Sequence, residues 1–142
     1  MTTLYIVPTA DAAANQLDWA IRLFVDHQAF LPSITLAGAS RGMIEDLLGK
    51  DPKKITASDS VKGSLAEKGY GTADEIGKTI NAPRNFLKHA DIAEFDHSAA
   101  DLQSMAITEI TLALTNLCRL DRSVVSEGRR FLDWISVNWS KP

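Results

Sequence analysis

Apolar residues recur at intervals of three and four along most of this chain, the period of a helix with one buried stripe. Leu17, Ala20, Ile21, Phe24 and Val25 form the first such stripe, with Asp11, Asp18, Arg22 and Asp26 on other faces. Ile34, Ala37, Ile44 and Leu48 form a second, flanked by Leu36, Met43 and Leu47. Leu102, Met105, Ala106, Ile110, Ala113, Leu114 and Leu117 form the longest. Stripes of this kind must bury against one another, so the pattern predicts an all-α fold, an antiparallel helical bundle of five or six helices.

End signals place the elements. Thr9 is an acceptable N-cap for a first helix reaching His27 or Gln28, and Pro32 suits the first turn of a second. The short Phe30-Leu31 joint makes these two antiparallel neighbours. Gly38 and Gly42, one turn apart, each lower helix propensity by about 1 kcal/mol, which predicts close approach of another helix, the first being the nearest in sequence. Residues 49–71 read as a weakly structured connection, with Ser58 capping a short helix that carries Val61 and Leu65. Thr72 and Glu75 have capping-box form and start a helix with Ile76 and Ile80 inward; Pro83 predicts a kink or restart. Residues 90–97 read as a polar loop. Ser98 caps a helix over 99–119, and Asp121 caps a last one to Asn138 carrying Val124, Val125, Phe131, Leu132 and Ile135.

At 142 residues the chain is expected to be a single domain over 1–142, with residues 1–9 as an N-terminal extension. A net charge of −3 argues against a broad DNA footprint or a basic membrane-binding face. No apolar run is long enough to span a bilayer, and Leu4-Tyr5-Ile6-Val7 is too short for a signal core. The single cysteine, Cys118, lies among leucines and is expected to be a small buried hydrophobe. A cytoplasmic location is the resulting expectation. His89, Asp91, Asp96 and His97 match no strong zinc spacing, so neither a metal nor a cofactor is expected. His27 at a helix end is read as structural, and Trp139 is expected to pack on the bundle.

The chemistry-bearing run is Arg84-Asn85-Phe86-Leu87-Lys88-His89. A permanent cation, an amide and an imidazole are the groups needed to hold a phosphate and move a proton without a metal. On an undistorted helix Arg84 and His89 stand about 140° apart around the axis and about 7.5 Å along it. They converge if the helix ends near Lys88, or if two chains assemble the site. Phe86 and Leu87 would anchor the segment to the core.

This run resembles the Arg-x4-His signature of the HEPN superfamily, including the polar residue directly after the arginine. The alanine- and glycine-containing stretch Ile34-Thr35-Leu36-Ala37-Gly38-Ala39 is similar to part of the second helix of HEPN bundles. It is also similar to a group of uncharacterised bacterial proteins that share it together with an Arg-Asn-x-x-Lys-His segment. The resemblance covers about residues 10 to 120. It implies a homodimer that brings two motifs together and a metal-independent endoribonuclease of the toxin–antitoxin or RNA-processing kind, with RNA as substrate and an antitoxin-like protein as partner. On that reading His89 is the general acid/base, Arg84 stabilises the transferring phosphate, Asn85 positions it and Lys88 adds substrate-binding charge. Two departures imply attenuation: Asp91 stands where many active members carry tyrosine, and Glu94 and Asp96 make the neighbourhood acidic. The resemblance is also compatible with a non-catalytic interaction module, and Arg84 with Lys88 would suffice for a nucleotide- or anion-binding domain.

Overall fold

The computed structural model describes residues 4, 6–89, 98–120 and 126–139, His89 by its backbone. Six α-helices and no strand are present among them: α1 Thr9–His27, α2 Phe30–Leu48, α3 Ala57–Glu67, α4 Ala73–His89, α5 Ala99–Arg119 and α6 Gly128–Asn138. The protein is an all-α bundle, as its periodicity predicts.

The centre is α1 and α5 packed on α2. Leu17, Ile21 and Phe24 of α1 meet Ile34, Ala37 and Ile44 of α2 and Ile110 and Ala113 of α5, all buried. Two buried serines fasten α1 to α2: Ser33 Oγ donates to the Ala20 carbonyl and Ser40 Oγ to the Ala13 carbonyl, each at 2.8 Å. The paired numbers run in opposite senses, so α1 and α2 are antiparallel. Gln28 makes the reversal tight by taking φ 51°, and its N–H and that of Ala29 close α1 on Phe24 and Leu23 carbonyls.

The ends of α5 follow the sequence closely. Ser98 and Asp101 form a reciprocal capping box at its start. Elsewhere the caps differ. Thr9 is already inside α1, behind Pro8, and α2 starts at Phe30, two residues before Pro32. Residues 49–71 hold an eleven-residue helix, α3, capped by Thr56 and not Ser58. Asn116 of α5 also serves that end, its Oδ1 accepting from Ala57 N at 2.7 Å. Ser58 is buried and used otherwise. Cys118 is exposed, because it stands about 100° around α5 from buried Leu117. Leu132 and Trp139 are exposed too, 54% each, where burial was expected. The 90–97 loop, the Asp121 cap, Val124 and Val125 lie outside the described residues.

The last helix, α6, docks on α1 through rings and charges. Phe24 meets Phe131 and Trp134 edge-on, at ring-centroid distances of 5.8 and 4.7 Å. Asp18 supplies the start of α6, accepting from Glu127 N and Ser126 Oγ at 3.0 Å each. Arg130 binds both Asp26 and Glu127, and Arg22 reaches Glu127 at 3.2 Å. Among the described residues no helix is long and apolar enough to cross a membrane.

The hydrogen bond from Arg130 holds both the Asp26 and the Glu127 carboxyl below their ordinary values. Groups depressed in the fold stabilise it above their unfolded pKa, and that contribution disappears as pH falls through the folded value. The α6 docking should therefore loosen below about pH 4, seen as loss of near-ultraviolet circular dichroism from Trp134. Arg130→Ala should weaken docking at neutral pH and blunt the acid step; an acid step unchanged in that variant would refute the assignment.

Candidate functional site

Position 41 falls in the stripe Ile34, Ala37, Ile44, Leu48 at the spacing of a buried residue, yet it is arginine. Its side chain is 1% exposed, and all five N–H donors are engaged. Nε and Nη2 clamp the two oxygens of Glu109 on α5 at 2.7 and 2.9 Å. Nη2 also reaches Asn81 Oδ1 on α4 at 2.8 Å. Nη1 reaches Ser58 Oγ on α3 at 2.8 Å and Glu45 on α2 at 3.3 Å. Ser58 Oγ in turn donates a hydrogen bond to Glu45 Oε1 at 2.5 Å. One guanidinium thus ties together four helices.

Burial acts against the charged form of Arg41, but the Glu109 hydrogen bonds and the Glu109 and Glu45 charges more than offset it, so its pKa stands above the ordinary value. Burial pushes the Glu109 carboxyl up; Arg41, and then the field of Arg84, oppose that rise. Arg84 is therefore electrostatically part of this cluster.

The network also determines the course of α4. The expected interruption at Asn81-Ala82-Pro83 does not form, and the helix runs unbroken through buried Pro83 to His89. Asn81 is held by Arg41 on the turn before, and burial of the proline ring favours the helical path over the bias against it. Continuity fixes the register of the motif. Arg84 and Lys88 are one turn apart and share a face. Asn85 lies about 100° round from Arg84, and the backbone of His89 about 140° round. The His89 side chain lies outside the described residues, as do Asp91, Glu94, Asp96 and His97.

Against that face α2 presents its two glycines. A Cβ on Gly38 would lie 2.8 Å from Arg84 Cδ and 2.9 Å from its Cγ, and one on Gly42 would lie 3.5 Å from Nη1. The helix that approaches the glycines is α4, through the arginine, and not α1. The α2–α4 junction opens into a cleft of about 580 Å³ lined by Gly38, Ala39, Gly42, Met43 and Leu87 among others. Arg84, Lys88, Glu45 and Asp46 bring charge to it; Asn85 is not among its lining residues. Arg84 and Lys88 have no hydrogen-bond or ion-pair partner among the described residues. Leu87 packs on the core, as an anchor should, and Phe86 is half-buried.

Sequence reasoning singles out Arg84 and Lys88 but misses Arg41, Glu109, Glu45 and Asp46. The readable signal was a charge standing in an apolar register: Arg41 within the α2 stripe, and Glu109 between Ala106 and Ala113 on α5. No cluster of three or more His, Cys, Asp or Glu able to hold a metal exists among the described residues. Comparison with family models, curated proteins and solved structures finds no match for this chain.

Two substitutions probe this architecture. Glu109→Gln leaves buried Arg41 with only the more distant Glu45 as counter-charge and should cost about 3–5 kcal/mol in denaturant unfolding; a loss below 1 kcal/mol would show that the clamp is dispensable. Gly38→Ala gains up to about 1 kcal/mol of helix propensity but crowds the middle of the Arg84 side chain, at about 1–3 kcal/mol. A net loss of stability with a shifted Arg84 Nε resonance is expected, and a stabilised variant with Arg84 unmoved would contradict the contact.

Proposed function

We propose that this chain is a HEPN-like helical domain whose α2–α4 cleft holds a phosphate of RNA through Arg84 and Lys88. The observation that carries this reading is the pair of cations one turn apart on a continuous helix, both facing one cleft and both without an ion-pair partner among the described residues. A guanidinium offers a planar fork to two phosphate oxygens, and an ammonium one turn away adds a point charge. Gly38 and Gly42 leave room for the Arg84 side chain to lie against α2.

The proposed activity is metal-independent cleavage, weak in rate. His89 takes the proton of a ribose 2′-hydroxyl; the 2′-oxygen attacks the neighbouring phosphorus while the bond to the 5′-oxygen breaks, and that oxygen regains a proton. The products are a 2′,3′-cyclic phosphate and a 5′-hydroxyl, so atoms and charge balance. Arg84 meets the charge that develops on the phosphorane-like oxygens; Asn85, about 100° around α4 and not lining the cleft, would steady that phosphate only from a second copy of the chain. The helical register separates Arg84 from His89 of the same chain, which favours a homodimer in which each copy completes the other's site. Glu45 and Asp46, with Asp91 and Glu94 in the sequence, oppose RNA approach and account for attenuation.

A second reading has its own support. Leu132 and Trp139 of the α6 region, seven residues apart and so on one face, are 54% exposed each, an apolar pair suited to a protein partner of the antitoxin kind or to dimerisation without catalysis.

Purified protein incubated with mixed RNA in EDTA separates the two. Cleavage that falls by about 10²-fold or more in both Arg84→Ala and His89→Ala is the expected result. RNA left intact at high protein concentration, or cleaved by both variants as fast as by the wild type, would reject catalysis at this motif.

A further inference from the structure

The cleft carries a carboxylate that phosphate binding does not need. Asn81 lies opposite Arg41 and Arg84 opposite Gly38, so α4 runs antiparallel to α2. Lys88 therefore lies toward the Thr35 end of the cleft and Asp46 marks the other end, about 12 Å along α2 from Gly38. The Arg84 side chain lies along α2 from Gly38 to Gly42, and Asp46 follows one turn beyond Gly42. The two carboxylates at that end are not equivalent. Glu45 is engaged by Ser58 at 2.5 Å and by Arg41 at 3.3 Å. Asp46 is exposed and has no hydrogen-bond or ion-pair partner among the described residues, although a guanidinium stands a turn away.

We propose that Asp46 is a specificity-determining residue that reads the base attached to the bound phosphate, accepting a hydrogen bond from an exocyclic amino group. This rests on the cleft being a phosphate site as read above. The Arg84 side chain covers Gly38 and reaches Gly42, so a planar ring would lie beyond it, between the guanidinium and Asp46, with Met43 and Leu87 as apolar lining of the cleft. A volume of about 580 Å³ is within the range of small-ligand sites and admits a single nucleotide. Cytosine and adenine present amino donors, which a carboxylate accepts; uracil presents the O4 acceptor in the place of the cytosine amine, which a carboxylate repels. The acidic end that weakens RNA binding overall is, on this account, the element that selects among bases.

The test compares 2′-O-methyl octamers of cytidine and of uridine, which lack the attacking hydroxyl and so report binding alone. Affinity is measured by fluorescence anisotropy for the wild-type chain, Asp46→Ala and Arg84→Ala. The ratio of the two affinities is the readout, because loss of a negative charge shifts both ligands together. A wild-type preference for the cytidine octamer of about tenfold, falling to near unity in Asp46→Ala, is expected for one hydrogen bond to a charged group. Binding of both octamers that depends on Arg84 but shows no preference, or a preference that survives in Asp46→Ala, overturns the role of Asp46 and leaves the phosphate site standing. Absence of Arg84-dependent binding to either octamer overturns both.

Discussion

A single buried guanidinium organises this bundle. Arg41 lies where an aliphatic residue would complete the α2 stripe, and taking it out of water is favourable only because five acceptor contacts replace its hydration. Those contacts come from α2 itself, α3, α4 and α5. Hydrophobic burial alone would let α4 slide along α2, since aliphatic contacts are non-directional. A bidentate clamp on Glu109 and a bond to Asn81 allow one register. Arg41 thus supplies specificity of packing where the apolar core supplies affinity.

The candidate site is a consequence of that register. Asn81 is pinned beneath Arg41, Pro83 is buried directly before Arg84, and the helix continues, so Arg84 arrives opposite Gly38 and Gly42. Two glycines in mid-helix weaken α2 locally, and what they make room for is a cationic side chain. The same geometry that puts Arg84 and Lys88 in one cleft carries His89 away from Arg84 around the helix. The proposed cleavage would therefore need a second copy of the chain to bring the two groups together.

Charge is distributed in layers around this junction. The innermost layer, Arg41 with Glu109 and Glu45, is completed by Ser58 and Asn81 and feels the field of Arg84. The outer layer, Arg84, Lys88 and Asp46, is open to the cleft and unpaired among the described residues. A remote second cluster, Arg22, Asp26, Glu127 and Arg130, clips α6 to α1 at the surface, where solvent screening makes each pair weak but their alignment still sets where the helix sits. The aromatic contact of Phe24 with Trp134 supplies the apolar part of that docking.

The helical class, the α1–α2 reversal, the α5 span with its Ser98 cap and most core positions were legible in the sequence, because period and capping chemistry act over a few neighbouring residues. Arg84 and Lys88 were legible as a pair for the same reason. The thread through Pro83, the partner of the glycines, the use of Ser58 and the roles of Arg41, Glu109 and Asp46 were not. Each depends on groups distant along the chain: Arg41 and Glu109 are joined across helices, and nothing local to either announces the other. Short-range periodicity determines which faces are buried; only the assembled bundle decides which charge meets which, because a directional bond requires both ends to be in place at once.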